Sequence, residues 1–208
     1  MQTAKQRKLL PVAIMEPLTP LRNERETGTP TPASYVRSLF PKKRVRSGDA
    51  IRMVLGTPDE DQLEAYDHDV AGAIRSNDVD LLRELLDEGR DFTGCNRNGE
   101  TMLHLACRRS DLDTVEFLIV EAGLSTERRD TVGRSCLHDA CWRPVPDLEL
   151  MDFLVRSVSP LLLVEEDCRG HSCMDYVRPS DYETWNAFIT KYSGLIQRRS
   201  KLVGMFAP

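Results

Sequence analysis

The chain has 208 residues, of which 29% are charged and 6% aromatic, and its formal net charge is −5. No apolar run reaches the ~18 residues a membrane-spanning helix needs, and the length suits one domain with a long tail. Residues 1–60 carry 11 basic and 6 acidic side chains (+5), residues 61–195 carry 14 and 27 (−13), and residues 196–208 add 3 basic ones, summing to −5. A basic tail ahead of an acidic body implies two segments with separate roles.

Met1–Met15 opens with Lys5, Arg7 and Lys8 and a short apolar patch, Leu9 to Met15. The patch contains Pro11 and lacks a clear small-residue cleavage site, so it reads as a disordered start rather than a signal peptide. Prolines at 11, 17, 20, 30, 32 and 41 break any periodicity. Residues 1–56 are therefore expected to be a disordered tail. Thr19, Thr29, Thr31 and Thr57 each precede a proline, a pattern compatible with proline-directed phosphorylation. Behind Pro41, the run Lys42, Lys43, Arg44 and Arg46 resembles a short nuclear-import signal, because an extended chain can lay successive cations into an acidic receptor groove. A phosphate on Ser47 would place negative charge beside that run.

Thr57-Pro58-Asp59-Glu60 predicts a helix start, with Thr57 as N-cap, Pro58 at the first helical position and Glu60 completing a capping box. Val70, Ala73 and Ile74 supply an inner face, and Val79 to Glu88 form an amphipathic helix stopped by Gly89. Then comes a complete helix–turn–helix unit, Asn96 to Gly123. Its segment Gly99-Glu100-Thr101-Met102-Leu103-His104-Leu105-Ala106 recurs as Gly133-Arg134-Ser135-Cys136-Leu137-His138-Asp139-Ala140, and more weakly as Gly170 to Val177. The glycines step by 34 (133 − 99) and 37 (170 − 133) residues. Gly99 and Gly133 fit a turn that needs positive φ, and Thr101 and Ser135 fit N-caps. Leu112, Val115, Leu118 and Ile119 give the second helix an amphipathic spacing.

The third unit departs at Arg143-Pro144-Val145-Pro146-Asp147, where two prolines forbid helix, and resumes with Leu148, Met151, Phe153 and Leu154. The fourth has a short first helix ended by Pro179, a capping box over Ser180–Glu183, and a stripe of Trp185, Phe188, Ile189 and Tyr192 that packs on the stack. Residues 194–208 are expected to be a frayed C-terminal tail.

A G-x-T-P-L-H-x-A pattern with a period in the low thirties resembles the ankyrin repeat, over roughly residues 66–193. The resemblance implies an all-α ankyrin-repeat solenoid of about four helix–turn–helix repeats, the outer two degenerate, in a domain at 57–193 between the tails. One unit cannot bury its apolar face alone, so neighbours must stack. His104 and His138 are implied to be structural, bonding the turn hydroxyl residue and the neighbouring repeat.

No P-loop, G-x-G-x-x-G or H-E-x-x-H motif is present, and neither catalysis nor a cofactor is expected. The six cysteines follow the repeat: Cys107 matches Cys141, and Cys136 matches Cys173 where the family usually has proline. They read as small buried thiols of an intracellular protein, cytoplasmic or nuclear. A rival is a redox- or zinc-responsive protein using Cys136/Cys141 and Cys168/Cys173 beside His138 and His171. The C-x4-C spacing, however, misses the C-x2-C pairs of zinc modules.

In ankyrin stacks partners usually bind the concave face of hairpin fingers and inner helices. The matching positions here are Arg97, Arg134 and Arg169 on the fingers, and Arg75, Arg108, Arg109, Trp142 and Arg143 on the inner helices. Arginine pairs bidentately with carboxylate and phosphate, and tryptophan anchors interfaces. The expectation is a monomeric adaptor or regulator that binds an acidic or phosphorylated segment of another protein. The competing outcome is internal pairing with Glu100, Asp111 and Asp139. The acidic body disfavours nucleic acid. A nuclear cofactor of transcription, targeted by the basic run, is the alternative.

Overall fold

Each repeat starts from a side chain that shapes its turn. Asn96 Oδ1 accepts from the amides of Asn98 (2.9 Å) and Glu100 (3.1 Å). Asp130 Oδ1 does the same for Val132 (2.9 Å) and Arg134 (2.8 Å), and Asp167 Oδ1 for Arg169 (2.8 Å) and His171 (3.0 Å). The chain then passes through Gly99, Gly133 and Gly170 at φ of 73°, 89° and 81°, as the turn pattern requires.

The computed structural model describes residues 30–40 and 58–206. Its helices are α1 (Pro32–Leu39), α2 (Glu60–Glu64), α3 (His68–Ser76), α4 (Val79–Asp87), α5 (Met102–Arg109), α6 (Leu112–Glu116, continuing through a π turn, Phe117–Glu121), α7 (Cys136–Cys141), α8 (Leu148–Ser157) and α9 (Tyr182–Phe206). The first helix of the fourth repeat is a 3-10 turn, Cys173–Tyr176. Successive first helices pack in a row, α3 on α5, α5 on α7, and α7 on Cys173–Tyr176. Behind them stand α4, α6, α8 and α9. Ile74, Leu82, Leu103, Leu118, Leu137, Leu150 and Leu154 fill the space between the rows, and the buried Ala73, Ala106 and Ala140 hold the first helices close.

The fingers are laced backbone to backbone, and the first of them is tied to α2. Cys95 N donates to Gln62 O (3.0 Å), Thr131 N to Asn98 O (2.9 Å) and Cys168 N to Val132 O (2.8 Å). At Gly94 the approach is so close that a Cβ would stand 2.3 Å from the carbonyl carbon of Ala65.

Four local expectations change. The helix start at Thr57 moves inward: Asp59 is the N-cap of α2 and forms the capping box with Gln62, since a carboxylate is a stronger amide acceptor than the threonine hydroxyl. Thr57 itself lies outside the described residues. At Ser180–Glu183 no capping box forms; the Ser180 hydroxyl donates to Asp181 Oδ1 (3.1 Å), and a 3-10 turn (Pro179–Asp181) leads into α9. The C-terminal stretch is not frayed at residue 194, because α9 runs to Phe206. Ile196 and Ser200 are buried, and Arg199 donates to Val158 O (2.8 Å) and to Val155 O.

The largest change lies in the tail. Residues 30–40 are ordered: Thr31 caps α1 by accepting from Ser34 N (3.1 Å), Pro32 takes the first helical position, and Ala33 and Val36 are buried against the end of the stack. Burying Val36 alone contributes on the order of 2 kcal/mol, an anchor the proline spacing conceals. The remainder of the 1–56 tail, including Lys42, Lys43, Arg44 and Arg46, lies outside the described residues.

Candidate functional site

The C-terminal ends of α3, α5 and α7 meet on one side of the stack. Asn77 ends α3 in the left-handed region (φ 55°) and its Oδ1 accepts from Asp111 N (3.1 Å). Ser110 Oγ donates to Ile74 O (2.7 Å), tying the second repeat to the first. At the next junction Arg143 takes this role: its Nη1 donates to Ser110 O (2.8 Å) and Cys107 O (3.4 Å), with Asp147 3.5 Å from Nη2. A cation at the last carbonyls of α5 also complements that helix end.

These ends enclose an open cleft of about 510 Å3, lined by Arg75, Arg108, Arg109, Arg143, Pro144 and Val145. Val145 is 74% exposed and forms an apolar lip. Arg75 and Arg109 are exposed and make no ion pair or hydrogen bond with the described residues. The proline-stiffened loop that interrupts the third repeat thus faces two cations.

Not every arginine expected on this face is available. The Arg108 side chain is 8% exposed, with Nε 2.8 Å from Asp139 Oδ1 and Nη2 2.5 Å from Glu100 Oε1. Arg134 is held by Asp130 (2.5 Å) and Glu100 (3.3 Å). Both therefore belong to a buried network between the second and third repeats, because the acidic neighbours at 100, 130 and 139 converge on them. Burial opposes charge on Arg108, but Asp139 and Glu100 outweigh it and its pKa is raised. Burial likewise works against the Glu100 carboxylate, yet Arg108, Asn96 and Arg134 hold its pKa below the usual value. At Asp139 burial wins and pushes the pKa up, with Oδ2 left without a partner. Arg97 and Arg169 sit exposed on the fingers, and Trp142 is half-buried outside the cleft lining.

His104 and His138 take the structural places that the repeat pattern implies. His104 Nδ1 accepts from Thr101 N (3.2 Å) and its Nε2 donates to Arg134 O (3.0 Å). His138 repeats this with Ser135 N (3.1 Å) and His171 O (3.2 Å). An amide donating to Nδ1 fixes the proton on Nε2. Burial lowers the His138 pKa to about 3, so the ring is neutral at neutral pH.

The cysteines give little to a redox or metal reading. Cys107, Cys136, Cys141 and Cys173 are buried. The Cys107 thiol, beside Cys136, and the buried Cys141 thiol are pushed well above the ordinary range, which suppresses the reactive thiolate. Among the described residues, no group of three or more His, Cys, Asp or Glu is placed to hold a metal ion, and no helix is long and apolar enough to cross a membrane.

Comparison with known proteins agrees with this architecture. Residues 70–160 match the family model described as ankyrin repeats (3 copies). The chain is an ankyrin-repeat protein. It is also similar to the eye-specific diacylglycerol kinase of Drosophila melanogaster, with 38% identity over 50 residues, which is 24% of this chain and 3% of that protein. So short a match carries none of the kinase's activity over. Ankyrin repeats are protein–protein interaction modules and generally non-catalytic.

The anchors at Asn96, Asp130 and Asp167 were missed by reading the repeat from its glycines. Their signal was present: each stands three residues before a repeat glycine.

Proposed function

We propose that this ankyrin-repeat protein is a non-enzymatic adaptor or regulator whose cleft binds an acidic or phosphorylated segment of another protein. The observation that carries the reading is the pair of exposed cations, Arg75 and Arg109, facing the apolar lip of Pro144 and Val145 across an open cleft. Guanidinium groups recognise carboxylate and phosphate, and an exposed valine offers area to a neighbouring apolar side chain. The domain around the cleft is strongly acidic, so a local positive site discriminates against long polyanions while admitting a short anionic segment.

The test is a phosphopeptide and acidic-peptide array probed with the wild type and with Arg75→Glu/Arg109→Glu. Circular dichroism confirms that both are folded. The bound set is expected to be enriched in phosphorylated or Glu-rich segments beside an apolar residue, and the charge reversal weakens it at least tenfold. An unchanged bound set on the folded variant would overturn the assignment.

A further inference from the structure

The row of first helices does not stop at the fourth repeat. Beyond Cys173–Tyr176, in the place a fifth repeat would occupy, stands α1, packed on that turn and on α9. The junction chemistry changes there too. His104 and His138 each send an N–H to the following finger, but the equivalent position in the fourth repeat is Asp175. Asp175 Oδ2 keeps the local cap by accepting from Ser172 N (2.8 Å) and Ser172 Oγ (2.7 Å). Where a histidine would present a donor, it presents an anion, and Arg37 Nη2 lies 2.7 Å away with Glu166 at 3.7 Å. Ala33 and Val36, each 1% exposed, supply the apolar contact. Tyr35 OH shares a hydrogen bond with Thr190 Oγ1 (2.9 Å), and Asn186 Nδ2 donates to Pro30 O (2.8 Å).

We propose that the end of the fourth repeat is a recognition surface for a short helix bearing a cation, and that segment 30–40 is its exchangeable in-cis occupant. A helix of 8 residues does not persist alone in water, so α1 folds as it docks. Three buried side chains (Pro32, Ala33 and Val36), the half-buried Tyr35, Leu39 and Phe40 and a few exposed polar bonds hold it, which sets docking against the cost of ordering the segment. Residues 41–57, 17 in number (57 − 41 + 1), separate it from the repeats. They span up to roughly 60 Å when extended, so connectivity does not force the contact. Because α1 belongs to the same chain, its docking is intramolecular, and any free helix of the same pattern must compete with it. This surface is distinct from the Arg75–Arg109 cleft and does not depend on the reading proposed for it.

The experiment uses the full chain and a labelled peptide of residues 28–42. Ala33→Asp/Val36→Asp releases α1 and is expected to bind the peptide at least tenfold more tightly than the wild type by fluorescence anisotropy. Adding Asp175→His, which keeps the Ser172 cap as the other repeats do, weakens that binding several-fold. In the wild type, amides 34–39 are expected to exchange at least a hundredfold faster than those of α5. Equal peptide binding by wild type and released variant, binding by neither, or α1 amides as protected as α5 would overturn the proposal.

Discussion

Arg108 and Arg109 are sequence neighbours with opposite roles, and replacing them separately measures the difference. In Arg108→Met, Asp139 keeps its fully buried carboxylate (0% exposed) and loses the guanidinium at 2.8 Å, while Glu100 keeps only Arg134 and Asn96. Removing one partner of a buried pair costs about 3–5 kcal/mol, because the remaining charge is left uncompensated. For a chain of this size that corresponds to a fall of about 10 °C in Tm. Arg109→Ala removes an exposed cation with no partner among the described residues, so its cost stays within about 0.5 kcal/mol. Urea denaturation followed at 222 nm reads both. In the Arg108→Met variant the loss shrinks as pH falls, since burial raises the Asp139 pKa and a protonated Asp139 no longer needs the cation. A loss below about 1 kcal/mol for Arg108→Met, or an equal loss for Arg109→Ala, would refute the division between structural and ligand-facing arginines.

Three further outcomes follow from the packing. Gly94→Ala forces a Cβ within 2.3 Å of the Ala65 carbonyl, and thermal unfolding should show a loss of about 2 kcal/mol or more. Truncation after Ser193 removes the buried Ile196 and the Arg199 bonds to Val155 O and Val158 O, and should cost about 3 kcal/mol in the same assay. His138 is depressed to about 3 from its ordinary 6.5, so the unfolded chain takes up its proton first as pH falls. Its contribution is intact above pH 6.5 and is lost progressively toward pH 3, about 2–3 kcal/mol of it by pH 4.5. Urea midpoints at pH 7 and 4.5 should converge in His138→Gln relative to the wild type.

The repeat itself was legible because its spacing, turn glycines and histidines all demand the same unit. What escaped was local competition and long-range contact. Thr31-Pro32 and Thr57-Pro58 carry the same helix-start dipeptide. The first is a true cap, because Ala33 and Val36 find a surface on the far end of the chain. At the second the cap passes to Asp59, which has Gln62 to complete the box. Neither outcome can be read from the dipeptide. At the site, positions on the concave face followed from the repeat, but availability did not. Arg108 and Arg109 differ only in whether Glu100 and Asp139 lie within reach, and that depends on how adjacent repeats meet. Pro144 and Val145 were visible as an interruption, yet their place as a lip opposite Arg75 required the fold.

The finger lacing has a mechanical consequence. Each junction along this edge is bridged by a backbone hydrogen bond, from Cys95 of the first finger to Gln62 of α2, and between fingers from Thr131 to Asn98 and from Cys168 to Val132. Pulled from its two ends, the stack carries the load through these links in series, so each bears the full force and none is shielded by its neighbours. Extension should therefore come in discrete steps, junction by junction, with the intact repeats behaving as a stiff spring between them. A partner lying across two fingers would act as a splint, raising the force at which that one junction opens.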